Sequence, residues 1–433
     1  MAQKRMVIVE GVRTAIGKFG GSLKEVPAEF LQAFCFRHVV KKSKIDPTSI
    51  DDIAVGNLCS LEGNVAGLAA SIAKIPYSVS SSVVGRNCAS GIEAISRLCQ
   101  AGLSGDGDIF LAGGVENMSR IPYVLDDIRF GPRLQPRILK DALWDGLYCK
   151  ISGMMMGRTG ENVAQKWEIT REAQDEFAVG SHRKASLAWQ NQKFDSQIYP
   201  IPIQERMNIR GDSGEKIVPM NQVIFSKDES VNDALVQNPE KASSAPAIFM
   251  DDNIAEPARV KRYIDKSGTF VIEKSVYLGG TVTPANACPM NDGAAAVLIM
   301  TEEKAVALGL TPLAYVVSYA YAGCDPALMG EGPIYAVPKA LKKAGLKMND
   351  IDVFELNEAF AAQVIVCRDQ LHIPEEKLNI WGGAIALGHP LGATGMIKVI
   401  KAIHILQELQ KRYAVITMCV GGGQGGCLII ERA

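Results

Sequence analysis

Cys88 lies in the stretch VVGRNCASGIEAI (83–95), where a strand-like apolar pair gives way to a helical pattern. Ile92, Ile95 and Cys99 recur at helical spacing, with Gly102 as the expected stop, so Cys88 falls at or near a helix N-terminus. Unpaired backbone N–H groups and the positive end of the helix dipole stabilise a thiolate and a neighbouring oxyanion there. A lone cysteine is more often buried packing than a nucleophile. His389 sits in WGGAIALGHPLGATG (381–395), held out of helical geometry by Pro390 before a helix expected from about Ala393. It fits either a satisfied buried imidazole or a general base. Cys419 ends a strand in ITMCVGGGQGGCLII (416–430) and faces glycines that return into another strand, a hairpin with exposed N–H groups. No Gly-Lys-Ser/Thr follows and no helix opens, which excludes a nucleotide loop. Cys427, one strand on, reads as core. Asn357 leaves a strand in LNEAFAAQ (356–363), with Glu358 expected to open a helix. Asn357 could cap that helix or offer its amide to a reacting group, and Glu358 would serve the helix dipole.

The set says more than its members. A thiol that attacks an acyl group needs a base, here His389, and donors for the developing oxyanion. A second thiol, Cys419, could deliver or remove a proton at a carbon next to a carbonyl. Asn357 could hold a water as a further oxyanion donor. One nucleophile with a separate acid/base at carbon describes Claisen condensation and its reverse; simple thioester hydrolysis would need no Cys419.

The elements that must position these residues read as α/β. Strand-like runs MVIVE (6–10), DIAVG (52–56) and DIFLAGG (108–114) alternate with helical patterns. An internal repeat is legible: IDPTSIDDIAVGN ends at Asn57 and GLKMNDIDVFELNE carries the same design to Asn357, 300 positions later. Asn57 precedes Cys88 by 31 positions and Asn357 precedes His389 by 32. Two similar halves related by a pseudo-dyad follow from that spacing. We expect residues 1–120 to form the first half, completed by about 279–302, and 303–433 the second. Residues 121–278 differ in texture and are expected to be an inserted, loop-rich domain shaping a substrate pocket, with one clear helix capped by Thr170. From about 205 to 275 the pattern becomes polar and Pro-interrupted.

Composition excludes other classes. Charges are balanced, 46 basic against 47 acidic over 433 residues, so no nucleic-acid footprint or membrane-adsorbing face is expected. No apolar run reaches the roughly 18 residues of a membrane span, and the strand from Met6 leaves no room for a signal peptide. The C-terminal Glu431-Arg432-Ala433 is no peroxisomal address. Ten cysteines without zinc spacings read as reduced thiols in a cytoplasmic protein. His38, His182 and His404 lie in expected helices as surface or packing residues, and His372 in a connector.

Taken together, NCASG around Cys88, NEAFA at 357–361, GGAIALGHPLGATG around His389 and CVGGGQG from Cys419 resemble the thiolases, the acetyl-CoA C-acyltransferases. RTAIGKFGG (13–21), AGGVENMS (112–119), TREAQDEFAVGSH (170–182) and NDGAAAVLIM (291–300) extend the resemblance over nearly the whole chain. It implies the thiolase fold, two βαβαβ halves in a five-layered αβαβα core with a loop domain inserted from the first half. It also implies roles. Cys88 would be acylated, His389 would activate it and help bind a thioester oxygen, and Cys419 would be the acid/base at the α-carbon. Asn357 would fix the water of one oxyanion hole, and the N–H groups of Cys88 and Gly421 would form the other. Leu147, Met156 and Phe360 match positions near the pantetheine or acyl group. Acyl-CoA and CoA would be substrates, with no metal or tightly held cofactor and a homodimer or homotetramer as the assembly. Departures fall in the pocket: NACP (286–289) puts Cys288 and Pro289 where Ser and Gly are usual, Met155 replaces a pocket histidine of acetoacetyl-specific members, and MGRTGE replaces MGxTAE. A decarboxylating ketoacyl synthase of the same fold would need no acid/base Cys419. A non-catalytic acyl-CoA-binding subunit would not need all four catalytic residue types.

Overall fold

The computed structural model describes residues 4–433 apart from 61, 126–127, 132–133, 135, 212–213, 250–258, 265–266, 268 and 276–279. Nine strands form the continuous path of the central sheet, β1 (Met6–Arg13), β2 (Asp52–Gly56), β3 (Ser80–Val84), β4 (Ile109–Asn117), β5 (Asn291–Thr301), β6 (Ala314–Gly323), β7 (Val353–Leu356), β8 (Tyr413–Val420) and β9 (Gln424–Arg432), and a short tenth, Gly17–Lys18, pairs with β5 off that path. The nine are hydrogen-bonded in the order β7-β8-β9-β6-β1-β5-β4-β2-β3. β2 runs parallel to β3 and β4, and β7 runs parallel to β8. β5 and β8 are buried almost throughout, as strands covered on both faces must be.

The repeat seen in the sequence is a repeat of structure. Asn57 directly follows β2 and Asn357 directly follows β7, each a short strand paired in parallel with a longer neighbour. The halves meet through an antiparallel contact of β1 with β6 at Val7–Tyr315 and Ile8–Ala314. The second half departs from five strands: its edge is a single bridge, Phe354 to Leu378. Asn379, with φ 43°, turns the chain there, and its side chain takes over the ladder, accepting from Leu356 N at 3.0 Å and donating to Leu356 O at 2.9 Å.

Helices cover and divide this sheet. α1 (Ala28–Ser43) and α2 (Val65–Ile72) pack outside the first half. α7 (Gly332–Ala344) and α8 (Ala361–Gln370) pack outside the second. Between the halves run α3 (Ser90–Ser104) and α9 (Leu391–Glu408), which touch each other and strands of both halves, giving five layers. α9 is buried from Leu391 to Ile403. Glycines let the first turns of α3 and α9 cross backbone to backbone. A Cβ on Gly91 would lie 2.7 Å from Met396 N, and one on Gly395 2.8 Å from Ile92 N. The crossing brings the residues just ahead of both helices, Cys88 and His389, to one end of the core.

Several boundaries differ from the sequence reading. α3 passes Gly102 and stops at Ser104, where Gly105 takes φ 90° and caps it. Gly102 serves packing instead, since a Cβ there would strike Met6. α9 opens at Leu391 directly after Pro390. Glu358 does not open a helix: the chain stays extended through Phe360, which bridges Ala287, and α8 starts at Ala361.

Within 121–278 lie α4 (Ala142–Leu147), α5 (Met156–Lys166) and α6 (Arg171–Gln190), the last capped by Thr170 Oγ1 accepting from Ala173 N at 3.2 Å. α5 and α6 pack on α8. The stretch expected to be irregular holds two antiparallel hairpins, Ile201–Gly211 with Gly214–Phe225 and Arg259–Ile264 with Phe270–Ser275. A two-stranded ribbon is held by main-chain bonds, which a polar composition does not advertise. Among the described residues, no helix is long and apolar enough to cross a membrane.

Candidate active site

Asn87, with φ 44°, makes the turn that presents Cys88 ahead of α3, and its Nδ2 donates to Gly421 O at 2.6 Å. That bond ties the cysteine loop to the hairpin between β8 and β9. The backbone N–H groups of Gly421 and of Cys88 itself both approach the Cys88 sulfur. Two donors aimed at one point are the geometry of an oxyanion hole. Burial outweighs them and pushes the thiol up to about 11, with the Glu116 carboxylate adding a smaller push. Cys88 therefore rests as S–H at neutral pH and needs a base.

His389 is buried and fully determined. Its N–H donates to Asn291 Oδ1 at 2.9 Å, and its Nδ1 meets Thr394 Oγ1 at 2.6 Å. Thr394 Oγ1 already donates to Pro390 O at 3.1 Å, so the hydroxyl accepts from Nδ1–H. The Nε2 lone pair then faces the Asn357 amide, with Nδ2 at 3.4 Å. Burial, and next the charge of Lys398, push the imidazole down to about 3. His389 is thus a neutral base with the lone pair on Nε2. No hydrogen bond joins it to Cys88 among the described residues.

Asn357 is no helix cap, since α8 begins four residues later. Its N–H donates to Thr417 O at 2.9 Å, its Nδ2 faces His389, and its buried Oδ1 accepts from no group among the described residues. An orphaned acceptor beside a catalytic-type imidazole suits a held water. Glu358, expected on the helix dipole, instead accepts from Ser181 Oγ at 2.6 Å, Asn379 Nδ2 at 2.7 Å and Ile385 N at 3.1 Å. It joins α6, the Asn379 turn and the loop leading to His389.

Cys419 is buried at the end of β8, its thiol pushed well above the ordinary value by burial and then by the nearby thiols, Cys88 first. The other residues singled out in the sequence fall on two walls. Leu147 packs with Cys88, Leu391 and Leu143. Met156, Cys288 and Phe360 pack with Cys419, and the structure adds Val282, Met329 and Phe249 to that wall. Cys288 N donates to Ala359 O at 3.0 Å, which fixes the NACP turn against the segment after Asn357. The glycine of MGRTGE has a reason: a Cβ on Gly160 would lie 2.8 Å from Phe360 Cγ, so its absence seats the ring.

Sequence reasoning passed over Glu116, although VENMS was quoted. This buried carboxylate accepts from Leu58 N, Cys59 N, Gly392 N and Asn57 Nδ2, at 3.1 to 3.2 Å. Burial pushes it up to about 7 in spite of those donors. It pins the loop after β2 to the start of α9. Thr394, five residues after His389, and Asn291 were also missed; a hydroxyl one turn into a helix after a histidine was the available signal.

The comparisons agree with this geometry. The thiolase N-terminal domain model matches residues 6–238 and 273–303, and the thiolase C-terminal domain model matches 310–432. A probable acetyl-CoA acyltransferase of Staphylococcus epidermidis is 38% identical over 431 residues, 99% of each chain. The crystal structure of the Bacillus anthracis acetyl-CoA acetyltransferase is similar over 100% of both chains, with TM-score 0.88 and 36% identity. The human mitochondrial 3-ketoacyl-CoA thiolase in complex with CoA is similar over 100% of this chain and 98% of its own, with TM-score 0.84 and 32% identity. With both domains matched in order and relatives aligned end to end, the chain belongs to the thiolase family.

Proposed function

We propose that the chain cleaves 3-ketoacyl-CoA with CoA, and runs the reverse condensation of acyl-CoA units, through an acyl group on Cys88. In cleavage, His389 Nε2 takes the Cys88 proton and the thiolate attacks the 3-keto carbon. The oxyanion is met either by the N–H groups of Cys88 and Gly421 or by imidazolium His389 with a water on Asn357. The C2–C3 bond then breaks, leaving the acyl group on sulfur, and Cys419 S–H protonates the departing C2 carbanion. CoA next gives its proton to the Cys419 thiolate and attacks the acyl-cysteine; Cys88 leaves and recovers its proton from His389. A thiol raised well above its usual value enters cleavage protonated, as the acid at carbon must.

The single observation behind this reading is the pairing of two differently set thiols: Cys88 beneath two N–H groups, and Cys419 buried within range of its charge. A ketoacyl-synthase chemistry leaves Cys419 without a task, and a non-catalytic subunit leaves the Asn357–His389 pair without one. CoA binding is supported by the CoA complex of the human relative and by the apolar wall around Cys288 and Phe249. We propose that the 121–278 insert completes that pocket. Fatty-acid β-oxidation is the pathway class that supplies such substrates. Incubation with a series of 3-ketoacyl-CoA chain lengths and CoA, following loss of the 3-keto thioester, is expected to give turnover that varies with chain length. No turnover across the series would sink the reading.

The pocket yields a further expectation. Pro289 offers no N–H and a thiol donates weakly, so pantetheine is held at 286–289 mainly by apolar contact. Cys288→Ser is expected to tighten CoA-ester binding, lowering KM by less than about tenfold, because a neutral hydrogen bond contributes roughly 0.5 to 1.5 kcal/mol. Steady-state kinetics with acetoacetyl-CoA check it; a large fall in kcat at unchanged KM would contradict the placement.

We also propose a homodimer or homotetramer in the cytoplasm. β3 ends the sheet order with no strand on its outer edge among the described residues, and Tyr77 ahead of it is 94% exposed. All ten cysteines are unbonded, which fits a reducing compartment. Light scattering of the purified chain tests the first statement and cell fractionation the second.

A further inference from the structure

α9 is buried from Leu391 to Ile403, yet three polar residues run down one of its faces there: Thr394, Lys398 and, a turn on, Lys401. Thr394 accepts from His389 Nδ1. Lys398 Nζ, four residues along on the same side, lies 3.3 Å from Glu355 Oε2 and 3.4 Å from Leu356 O. Lys401 Nζ lies 2.9 Å from the same Glu355 oxygen and donates to Gly382 O at 2.5 Å. Glu355 and Leu356 are the two residues just before Asn357. Glu355 is wholly buried, its Oε1 accepts no hydrogen bond among the described residues, and both lysines are at most 4% exposed. Two ammonium groups thus share one carboxylate at the back of the Asn357–His389 pair.

Such a cluster is not what stability alone would select. Replacing buried ion pairs with apolar residues of similar volume is often neutral or stabilising. A different return is needed, and the positions supply it. One face of α9 grips His389 through Thr394 and grips the end of β7 through Lys398, so the helix sets the imidazole in register with the amide it faces.

We propose that Lys398 is a positioning residue of the thiolase reaction: through Glu355 and Leu356 it fixes Asn357 against His389. The inference rests on the acyl-cysteine reading above. The titratable and charged groups on the elements around His389 are Lys398 and Lys401 on α9, Glu355 and Glu358 beside the end of β7, Glu116 on β4, and the thiols of Cys88 and Cys419. After burial, the cause that depresses the imidazole is Lys398. Lys401, pushed down to about 8 by burial against the pull of Glu355, balances the carboxylate on the side toward Gly382.

The test is single-turnover acetylation of the full chain by acetyl-CoA, quenched and read by intact mass across pH, with thermal unfolding in parallel. Lys398→Met is expected to slow acetylation about tenfold to a hundredfold, as small misplacements of reacting groups do. Its acid limb should move to higher pH, since removing the charge lets His389 protonate sooner, while its unfolding midpoint holds or rises. Lys398→Gln, which keeps a donor for Leu356 O without the charge, should recover part of the rate and none of the limb. Lys401→Met should leave the limb in place. Wild-type rate and limb in a folded Lys398 variant would overturn the proposal, as would a limb shift of equal size in Lys401→Met. Failure of both Lys398 variants to fold would overturn it too, making the residue scaffold. Absence of any acetyl adduct on the wild-type chain would instead bring down the acyl-cysteine reading itself.

Discussion

Cys88→Ala is expected to take up no acyl group from acetyl-CoA or acetoacetyl-CoA and to lose turnover by on the order of ten-thousandfold or more, the scale seen when a covalent nucleophile is removed. The size of the effect follows from what surrounds the sulfur. Nine other cysteines are present, all unbonded. Burial raises the thiols of Cys88, Cys419, Cys288 and Cys427 alike and pushes Cys59 up to about 12, so proton affinity does not single one out. Cys88 alone has the Gly421 N–H and its own N–H turned toward it. Alanine keeps the backbone and both donors, so the oxyanion site survives without a nucleophile and CoA-ester binding should be little changed. Intact mass after incubation with acetyl-CoA reads the result: one adduct on the wild-type chain and none on the variant. A stable adduct on the variant would move the acyl group to another residue.

Much of this site was legible because its signals are local. The apolar spacing after Cys88 reports a helix whatever the helix packs on, and α3 begins where that spacing places it, at Ser90. Glycines after Cys419 can only be a turn when strands flank them, and the β8–β9 hairpin is there, with Gly422 and Gly423 both at φ 88°. What could not be read depends on partners distant in the chain. Glu358 looks like a helix-dipole residue until Ser181, 177 positions away, is found on its carboxylate. Asn379 carries no local signal of standing in for a strand's ladder bonds. Nothing local marks Lys398 and Lys401 as buried; Glu355, brought up by β7, makes their burial tolerable. The hairpins of the insert were missed for a different reason: pairing through the main chain leaves little trace in composition.

Cys419→Ala should separate the two halves of the reaction, accepting an acetyl group on Cys88 at close to the normal rate while losing thiolysis and condensation by about a hundredfold to ten-thousandfold. Acetylation from acetyl-CoA requires only the Cys88 thiol, His389 and the oxyanion donors, since its leaving group is a thiolate. Cleavage of a 3-ketoacyl-CoA expels a carbanion, which must be protonated as it leaves, and condensation must generate that carbanion. Position supports the assignment: Cys419 is the penultimate residue of β8, two positions before Gly421, and it shares a wall with Met156, Cys288 and Phe360. Among the described residues the other thiol on that wall is Cys288, which burial also raises and which sits on the NACP turn instead of near the strand end. Cys288 should therefore not rescue the variant. The cavity left by removing one sulfur is small, so the unfolding midpoint should fall only slightly, and a loss of activity that tracked unfolding would have to be set aside. The decisive pair of measurements is the acetyl adduct by intact mass and acetoacetyl-CoA loss by absorbance on the same preparation. Adduct without cleavage is the expected outcome. Cleavage at the normal rate would leave the carbanion to some other acid, and the mechanism with two cysteines would fall.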